Sequence, residues 1–346
     1  RWGILKPLVD LIKSSNKIVL TTHKDCDGDG LGSELALFYA LKKMGKDVQI
    51  VHVDLLPKRY ENFLNKDLFH LFRPTLFDTP VDLCLIFDTN DERLIEPLYS
   101  EIQTVCKNIV FIDHHPLLKS GPLPAKAFID TTAASTGEIV YHVIKNLDVP
   151  LDTSIAESLY LSIVFDTQLF RYVRRSPMSH QIAIEILPLI PSPEAIHRNL
   201  FGGQTPEKIS FISKALGKIA YYLDNRVAIV LLHSKEIQDF GLTAEDTRDV
   251  VDKILDIDCV EVAILFREDS KDRYKISFRS KSTLDVLEVS ELFGGGGHHH
   301  ASGAMIEGEF LKIRDQIIDY FKKKLEWIKL EPIKNGDHPS FVAATT

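Results

Sequence analysis

Cysteine is scarce: four residues in 346, at positions 26, 84, 106 and 259, with no Cys-x-x-Cys pair and no regular ladder. That excludes a disulfide framework and fits a reducing, cytoplasmic setting. Long apolar runs are missing too, and none approaches the roughly 20 residues that span a bilayer. The opening RWGILKPLVDLIKSS has no apolar core followed by a small-residue cleavage site, so no signal peptide is expected. Positive charge is in deficit: 41 Lys and Arg face 49 Asp and Glu, a formal net charge of −8. Proteins that grip long duplex nucleic acid use a basic face against many phosphates. The balance excludes that mode but leaves room for a small basic pocket.

What is present is a globular composition, 45% hydrophobic and 26% charged, over a length that suits two domains. In the first half, apolar β-branched runs alternate with helical patterns. The runs are Lys17–Thr22 (KIVLTT), 48–53, Leu83–Phe87 (LCLIF) and 109–112; helices are predicted over 31–44, 92–103, 135–147, 153–164 and 179–187. Such alternation predicts an α/β fold with a parallel sheet covered on both faces. The proline-rich PLIPSP at 188–193 predicts a break. Beyond it, 219–232 reads as a hairpin around Asp-Asn, 260–268 and 274–281 as a second strand pair, and 310–328 as a closing helix. The expected division is an α/β catalytic domain over 1–187, a linker over 188–212, a smaller α/β substrate-binding domain over 213–330, and a tail over 331–346.

Ligand sites in open α/β sheets lie at the carboxyl ends of the strands. After KIVLTT come His23, Asp27 and Asp29; after LCLIF comes Asp88; after IVFI come Asp113, His114 and His115. Asp166 closes the helical stretch SLYLSIVFDT. Asp27, Asp29, Asp88 and Asp166 in one cleft would bring about −4 of charge and repel one another. Two divalent cations remove the problem. Mixed imidazole and carboxylate donors suit a first-row ion such as Mn²⁺ better than an all-oxygen Ca²⁺ cage. Zinc is disfavoured by the lack of a cysteine cluster or HExxH. A carboxylate between two such ions suits two-metal phosphoryl chemistry.

The runs H-x-x-x-D-x-D-x-x-G-S, strand-D, DHH and FDT, in this order, resemble the DHH phosphoesterase superfamily. FGGGGHHHASGA (293–304) is similar to the GGGH signature of a domain appended to many of its members. The resemblance implies one metal on His23, Asp27 and Asp88, and another on Asp29, Asp88, His114 and Asp166. Mn²⁺ is the first choice, with Mg²⁺ or Co²⁺ as alternatives. Length and domain content look most like the branch that degrades very short RNAs and dephosphorylates adenosine 3′,5′-bisphosphate (pAp). Three positions depart from the commonest wording: Cys26 for proline, Gln168 for glycine and His299 for Lys or Arg. None is an expected ligand. Asp113 is then expected to orient an imidazole from behind, and His115 to meet the substrate as hydrogen-bond donor or general acid.

The glycine run at 294–297 is followed by no Gly-Lys-Ser/Thr, which excludes a Walker loop. It is expected to bring the backbone of Gly295, Gly296 and Gly297 close to an anion, with His298 as a side-chain donor. Residues 267–281 hold six basic and three acidic side chains, and Arg279 is the expected fork for a terminal phosphate. The expected partners are short single-stranded RNA or a nucleotide, no long duplex and no membrane, with a second copy of the chain as a candidate. Rival readings are an inorganic pyrophosphatase, a RecJ-like single-strand exonuclease, and a silent nucleotide-binding protein.

Overall fold

The computed structural model describes residues 5–330 other than 62, 75, 78, 118–123, 125, 175, 203 and 282–283, with backbone alone at 244, 245 and 327–330. The expected tail, 331–346, lies outside the described residues. Contacts divide the chain into two compact units, Arg1–Gly203 and Gln204–Thr346.

Unit one is built on six parallel strands: β1 (Lys17–Thr22), β2 (Asp47–His52), β3 (Phe69–Leu71), β4 (Leu83–Phe87), β5 (Ile109–Asp113) and β6 (Ala127–Ile129). Their order is β3-β2-β1-β4-β5-β6. The order reverses between β1 and β4, which opens a crevice beyond the ends of those two strands. Successive residues serve opposite faces. Ile18, Leu20, Leu85 and Phe87 join the core beneath helices Gly28–Lys43, Thr136–Asn146 and Thr153–Asp166, whereas Val19, Cys84 and Ile86 join the core under helix Leu98–Val105. Both faces are dry, so these strands read as continuous apolar runs.

Helices Gly28–Lys43 and Thr153–Asp166 pack with backbones close together. A Cβ on Gly32 would stand 2.5 Å from the carbonyl oxygen of Ser158. Glycine is what lets the two helices approach, and the approach carries Asp29 towards Asp166.

The helix expected over 92–103 is instead a 3₁₀ turn, Glu92–Ile95, and a shorter helix, Leu98–Val105. Pro97 lies between them and has no N–H to continue the ladder. The three-residue strands β3 and β6 were not expected, because nothing so short sets up a periodicity. Residues 188–212, expected as a linker, carry helices Pro193–Phe201 and Pro206–Leu216. Each proline sits in the first turn, where its missing N–H leaves no intrahelical bond unmade. The expected break is there, since helix Met178–Ile186 ends before Pro188, but Pro193 and Pro206 start new helices where a linker was expected.

Unit two holds β7 (Ala220–Tyr222), β8 (Val227–His233), β9 (Val262–Ser270), β10 (Arg273–Ser280), β11 (Gly296–His298) and β12 (Ala301–Glu307), in the order β11-β12-β10-β9-β8-β7. The two expected strand pairs, β7–β8 and β9–β10, are both antiparallel. Helix Phe310–Leu330 sets Ile313, Ile317, Phe321 and Leu325, every fourth residue, into a core with Phe266 and Phe278.

Candidate metal centre

At the crevice beyond β1 and β4, the local chain first organises its own carboxylates. Asp27 caps helix Gly28–Lys43, accepting from the amides of Asp29 (3.0 Å) and Gly30 (3.4 Å). Asp29, fully buried in the first turn, accepts from the amides of Thr136 (2.9 Å) and Gly137 (3.3 Å) at the start of helix Thr136–Asn146 and from the Ser162 hydroxyl. Asp88 follows β4 with a φ of 61°, a left-handed conformation that a non-glycine residue holds only where its surroundings enforce it. Its Oδ1 accepts from the Thr136 hydroxyl at 3.0 Å.

The imidazoles then face these acids. His114 is fully buried; its Nε2 lies 3.4 Å from Asp29 Oδ2, 3.4 Å from Asp166 Oδ2 and 3.6 Å from Asp88 Oδ1. Its Nδ1 pairs with the Ala133 carbonyl at 3.2 Å, which orients the ring. On the other side of Asp88, His23 Nε2 lies 3.7 Å from Oδ2. Two trios result, His23 with Asp27 and Asp88, and Asp29 with His114 and Asp166, each with donor atoms within 4.8 Å of one another. Donors about 2.1 Å from a shared ion stand about 3–3.5 Å apart at octahedral to tetrahedral angles. The residues present therefore fit divalent cations.

Electrostatics give the same answer. Burial, and then the charges of Asp29 and Asp27, push the Asp88 carboxyl well above the usual carboxylate range, and the same causes act on Asp166. Burial also raises Asp29, to about 6, against the opposing pull of the Ser162 and Thr136 hydrogen bonds. Carboxylates held at this cost need cations to be ionised together.

Asp113 stands next to the trios, with a donor atom within 4.8 Å of those of Asp88 and His115, but its hydrogen bonds are to the chain's own donors. It is fully buried and accepts from Asn90 Nδ2 (2.7 Å) and the amides of His114 (2.8 Å) and His115 (3.1 Å), while its Oδ1 lies 2.7 Å from His115 Nδ1. Burial would raise its pKa, but the His115 charge and these hydrogen bonds outweigh it and hold Asp113 below the usual range. Burial would likewise lower His115, yet Asp113 prevails and raises it.

All eight residues expected here, His23, Asp27, Asp29, Asp88, Asp113, His114, His115 and Asp166, thus meet at one edge of the sheet. Sequence reasoning missed Thr136, Asn90 and Ser162. The Ser-x-x-Glu spacing of Ser135 and Glu138 does signal a helix start, but not which carboxylates its amide and hydroxyl would meet.

The other expected residues lie in unit two. Gly296–His298 is not a loop but the edge strand β11, paired with β12. The hairpin itself requires glycine there: a Cβ on Gly295 would stand 2.1 Å from the Gly303 carbonyl oxygen, and Gly297 has a φ of 133°. Arg279 is partly committed within its unit, with Nε 3.6 Å from Asp252 Oδ1 and Nη1 donating to the Phe278 carbonyl at 3.0 Å. His299, one of the departures, pairs with Asp285 at 2.6 Å.

Comparison with known proteins adds the following. The model of the DHH family, N-terminal domain, matches residues 17–163, and that of the DHHA1 domain matches 211–326. A bifunctional oligoribonuclease and PAP phosphatase, NrnA, of Thermus thermophilus is 26% identical over 310 residues, 89% of this chain and 90% of its own. An exopolyphosphatase-related protein of Bacteroides fragilis has the same fold, with a TM-score of 0.84 at 23% identity over 94% of this chain and 98% of its own. RecJ of Thermus thermophilus, solved in complex with Mn²⁺, is similar at a TM-score of 0.57 and 16% identity, over 92% of this chain and 55% of RecJ.

Proposed function

This chain belongs to the DHH phosphoesterases, a DHH N-terminal domain followed by a DHHA1 domain, and from that premise we propose that it hydrolyses short oligoribonucleotides to mononucleotides and pAp to AMP. The observation that carries the reading is Asp88, a member of one donor trio with its other oxygen 3.6 Å from His114 of the second, and with the Asp113-held His115 beside it. When bound, a pair of divalent cations, Mn²⁺ by this reading with Mg²⁺ or Co²⁺ as substitutes, supplies charge neutralisation and an activated water. His23, Asp27 and Asp88 hold one ion; Asp29, Asp88, His114 and Asp166 hold the other. Thr136 and the amides around it keep Asp29 and Asp88 in place. Asp113 fixes the His115 ring, whose far nitrogen carries a proton to the phosphoryl or leaving oxygen.

The substrate assignment is supported by the relative's name and by the basic excess over 267–281. Arg279, the backbone of Gly295, Gly296 and Gly297, and His298 receive the phosphate that is not cleaved. No described helix is long and apolar enough to cross a membrane, and a cytoplasmic enzyme is part of the reading.

The test is one panel with Mn²⁺-loaded protein: pAp, a 5′-phosphorylated RNA dinucleotide, a long single-stranded oligomer and pyrophosphate, with Asp88→Ala alongside. Turnover of the first two, lost in Asp88→Ala, is the expected result. Preference for pyrophosphate or the long oligomer would replace the reading with a pyrophosphatase or a RecJ-like exonuclease. Metal binding with no turnover would leave a silent nucleotide-binding protein.

A further inference from the structure

Directly after Asp166 the chain makes a turn that L side chains rarely adopt. Gln168, Leu169 and Phe170 have φ of 47°, 58° and 65°, and Arg174 follows at 48°; none is glycine. Consecutive left-handed residues persist only where the surroundings over-determine them, and such strain gathers at working sites.

The surroundings here are explicit. The Thr167 hydroxyl donates to the Ile163 carbonyl at 2.6 Å and accepts from the Phe170 amide at 3.0 Å. The Leu169 amide donates to Val164 and the Tyr172 amide to Thr167, at 2.9 and 3.0 Å. The Phe170 ring packs inward, its centroid 5.0 Å from that of His180. At the far end Arg174 Nη1 donates to the Thr131 carbonyl at 2.8 Å and the His114 carbonyl at 3.4 Å. The turn is thus tied to the metal centre twice, through Asp166 and through His114.

Its outward side chains are the unexplained part. Leu169 is 40% exposed and Tyr172 43% exposed, with the Arg171 guanidinium 5.8 Å from the Tyr172 ring centroid. A chain reversal alone is met most easily by glycine. This one keeps its strain and carries an aromatic face, an apolar side chain and a cation on a turn that starts directly after Asp166.

We propose that this turn is the nucleobase platform of the site, with Tyr172 stacking on the base of the nucleotide whose phosphate is cleaved and Leu169 flanking it. The inference rests on the phosphoesterase reading above and narrows its substrate class to phosphoesters that carry a base. Stacking tolerates every base but grows with its π-face, so purines are favoured. Arg171 backs the ring with positive charge.

The experiment uses the full chain loaded with Mn²⁺ and compares pAp with its base-free analogue, ribose 3,5-bisphosphate. Tyr172→Ala raises KM for pAp by roughly 10-fold with kcat nearly kept, and leaves the constants for the analogue as in the wild type. Tyr172→Phe restores the KM for pAp. Equal losses on both substrates, or none on pAp, overturn the platform. Binding of AMP and of ribose 5-phosphate tests it apart from turnover: Tyr172→Ala must weaken AMP alone. Failure of the wild type on both bisphosphates with that binding pattern intact would sink the functional reading and keep the platform.

Discussion

His115 Nδ1 lies 2.7 Å from Asp113 Oδ1, and the same carboxylate accepts from Asn90 and from the amides of both histidines of the motif. Asp113 is therefore a hub behind the site, turned towards the chain's own donors. The two adjacent histidines part company on it: His114 faces the carboxylates, and His115 is steered by the hub.

Division of labour within the motif follows. His115→Ala should keep Mn²⁺ stoichiometry and lose most of kcat. Asp113→Asn, which leaves a neutral acceptor, should cost about 10–100-fold in activity, the usual effect of removing a partner that orients a site imidazole. Calorimetry of Mn²⁺ binding beside steady-state kinetics separates the two effects. Unchanged kcat in His115→Ala would remove that residue from the chemistry.

Thr136 touches both carboxylates that the two trios depend on, its hydroxyl on Asp88 and its amide on Asp29. Thr136→Val deletes only the hydroxyl bond. Mn²⁺ affinity should fall by about 10-fold, and Thr136→Ser should recover it. Titration by Mn²⁺ electron paramagnetic resonance reads this directly.

The metal-free centre stores repulsion. Asp88 is buried, Asp166 is partly buried, and neighbouring acids drive both up, so Asp166→Asn should raise Tm in the presence of chelator. One kcal/mol corresponds to roughly 2–4 °C in a domain of this size. In wild type, Mn²⁺ at a hundred times Kd should stabilise by about 2.7 kcal/mol, a gain that Asp166→Asn largely loses. Lower Tm of the variant in chelator would contradict the charge argument.

Far from the site, Asp82 ties the sheet together. It accepts from the amides of Asn16 (3.0 Å) and Lys17 (2.9 Å) at the start of β1 and from Lys107 Nζ (2.6 Å) just before β5. The Lys107 hydrogen bond, then those of the Lys17 and Asn16 amides, hold its carboxyl below the usual range. A depressed folded pKa adds stability above the unfolded value, near 3.9, and loses it as pH falls towards the folded one. Asp82→Asn should cost about 1 kcal/mol at neutral pH, a gap that closes progressively below about pH 4. Melting curves of both proteins from pH 7 to pH 2.5 give the comparison, and a pH-independent gap would refute it.

Much of this is legible in the sequence. Lys17–Thr22, Leu83–Phe87 and the run ending in Asp113 are strands buried on both faces, and near-continuous apolar character follows from that burial alone. Parallel strands place their carboxyl ends together, so His23, Asp88 and His114 converge once those strands are placed. The even Asp spacing at 27 and 29 belongs to a helix start, where the capping role of Asp27 is local chemistry.

Only the tertiary structure decided what depends on distant neighbours. That Thr136 meets Asp88 and Asp29 is set by how one helix start docks on another. That Gly295–Gly297 form part of a hairpin is set by pairing with β12, where an isolated glycine run suggests a loop. The prolines near 190 end one helix at Ile186 and begin another at Pro193, and what packs against the following residues decides whether a linker or a helix comes next. The strained turn after Asp166 carries no glycine to announce it, because its φ angles are imposed by Thr167, Phe170 and Arg174 gripping partners elsewhere in the unit. Periodicity and local hydrogen bonding travel with the sequence; close packing between distant segments, and the strain it imposes, exists only once the chain has folded.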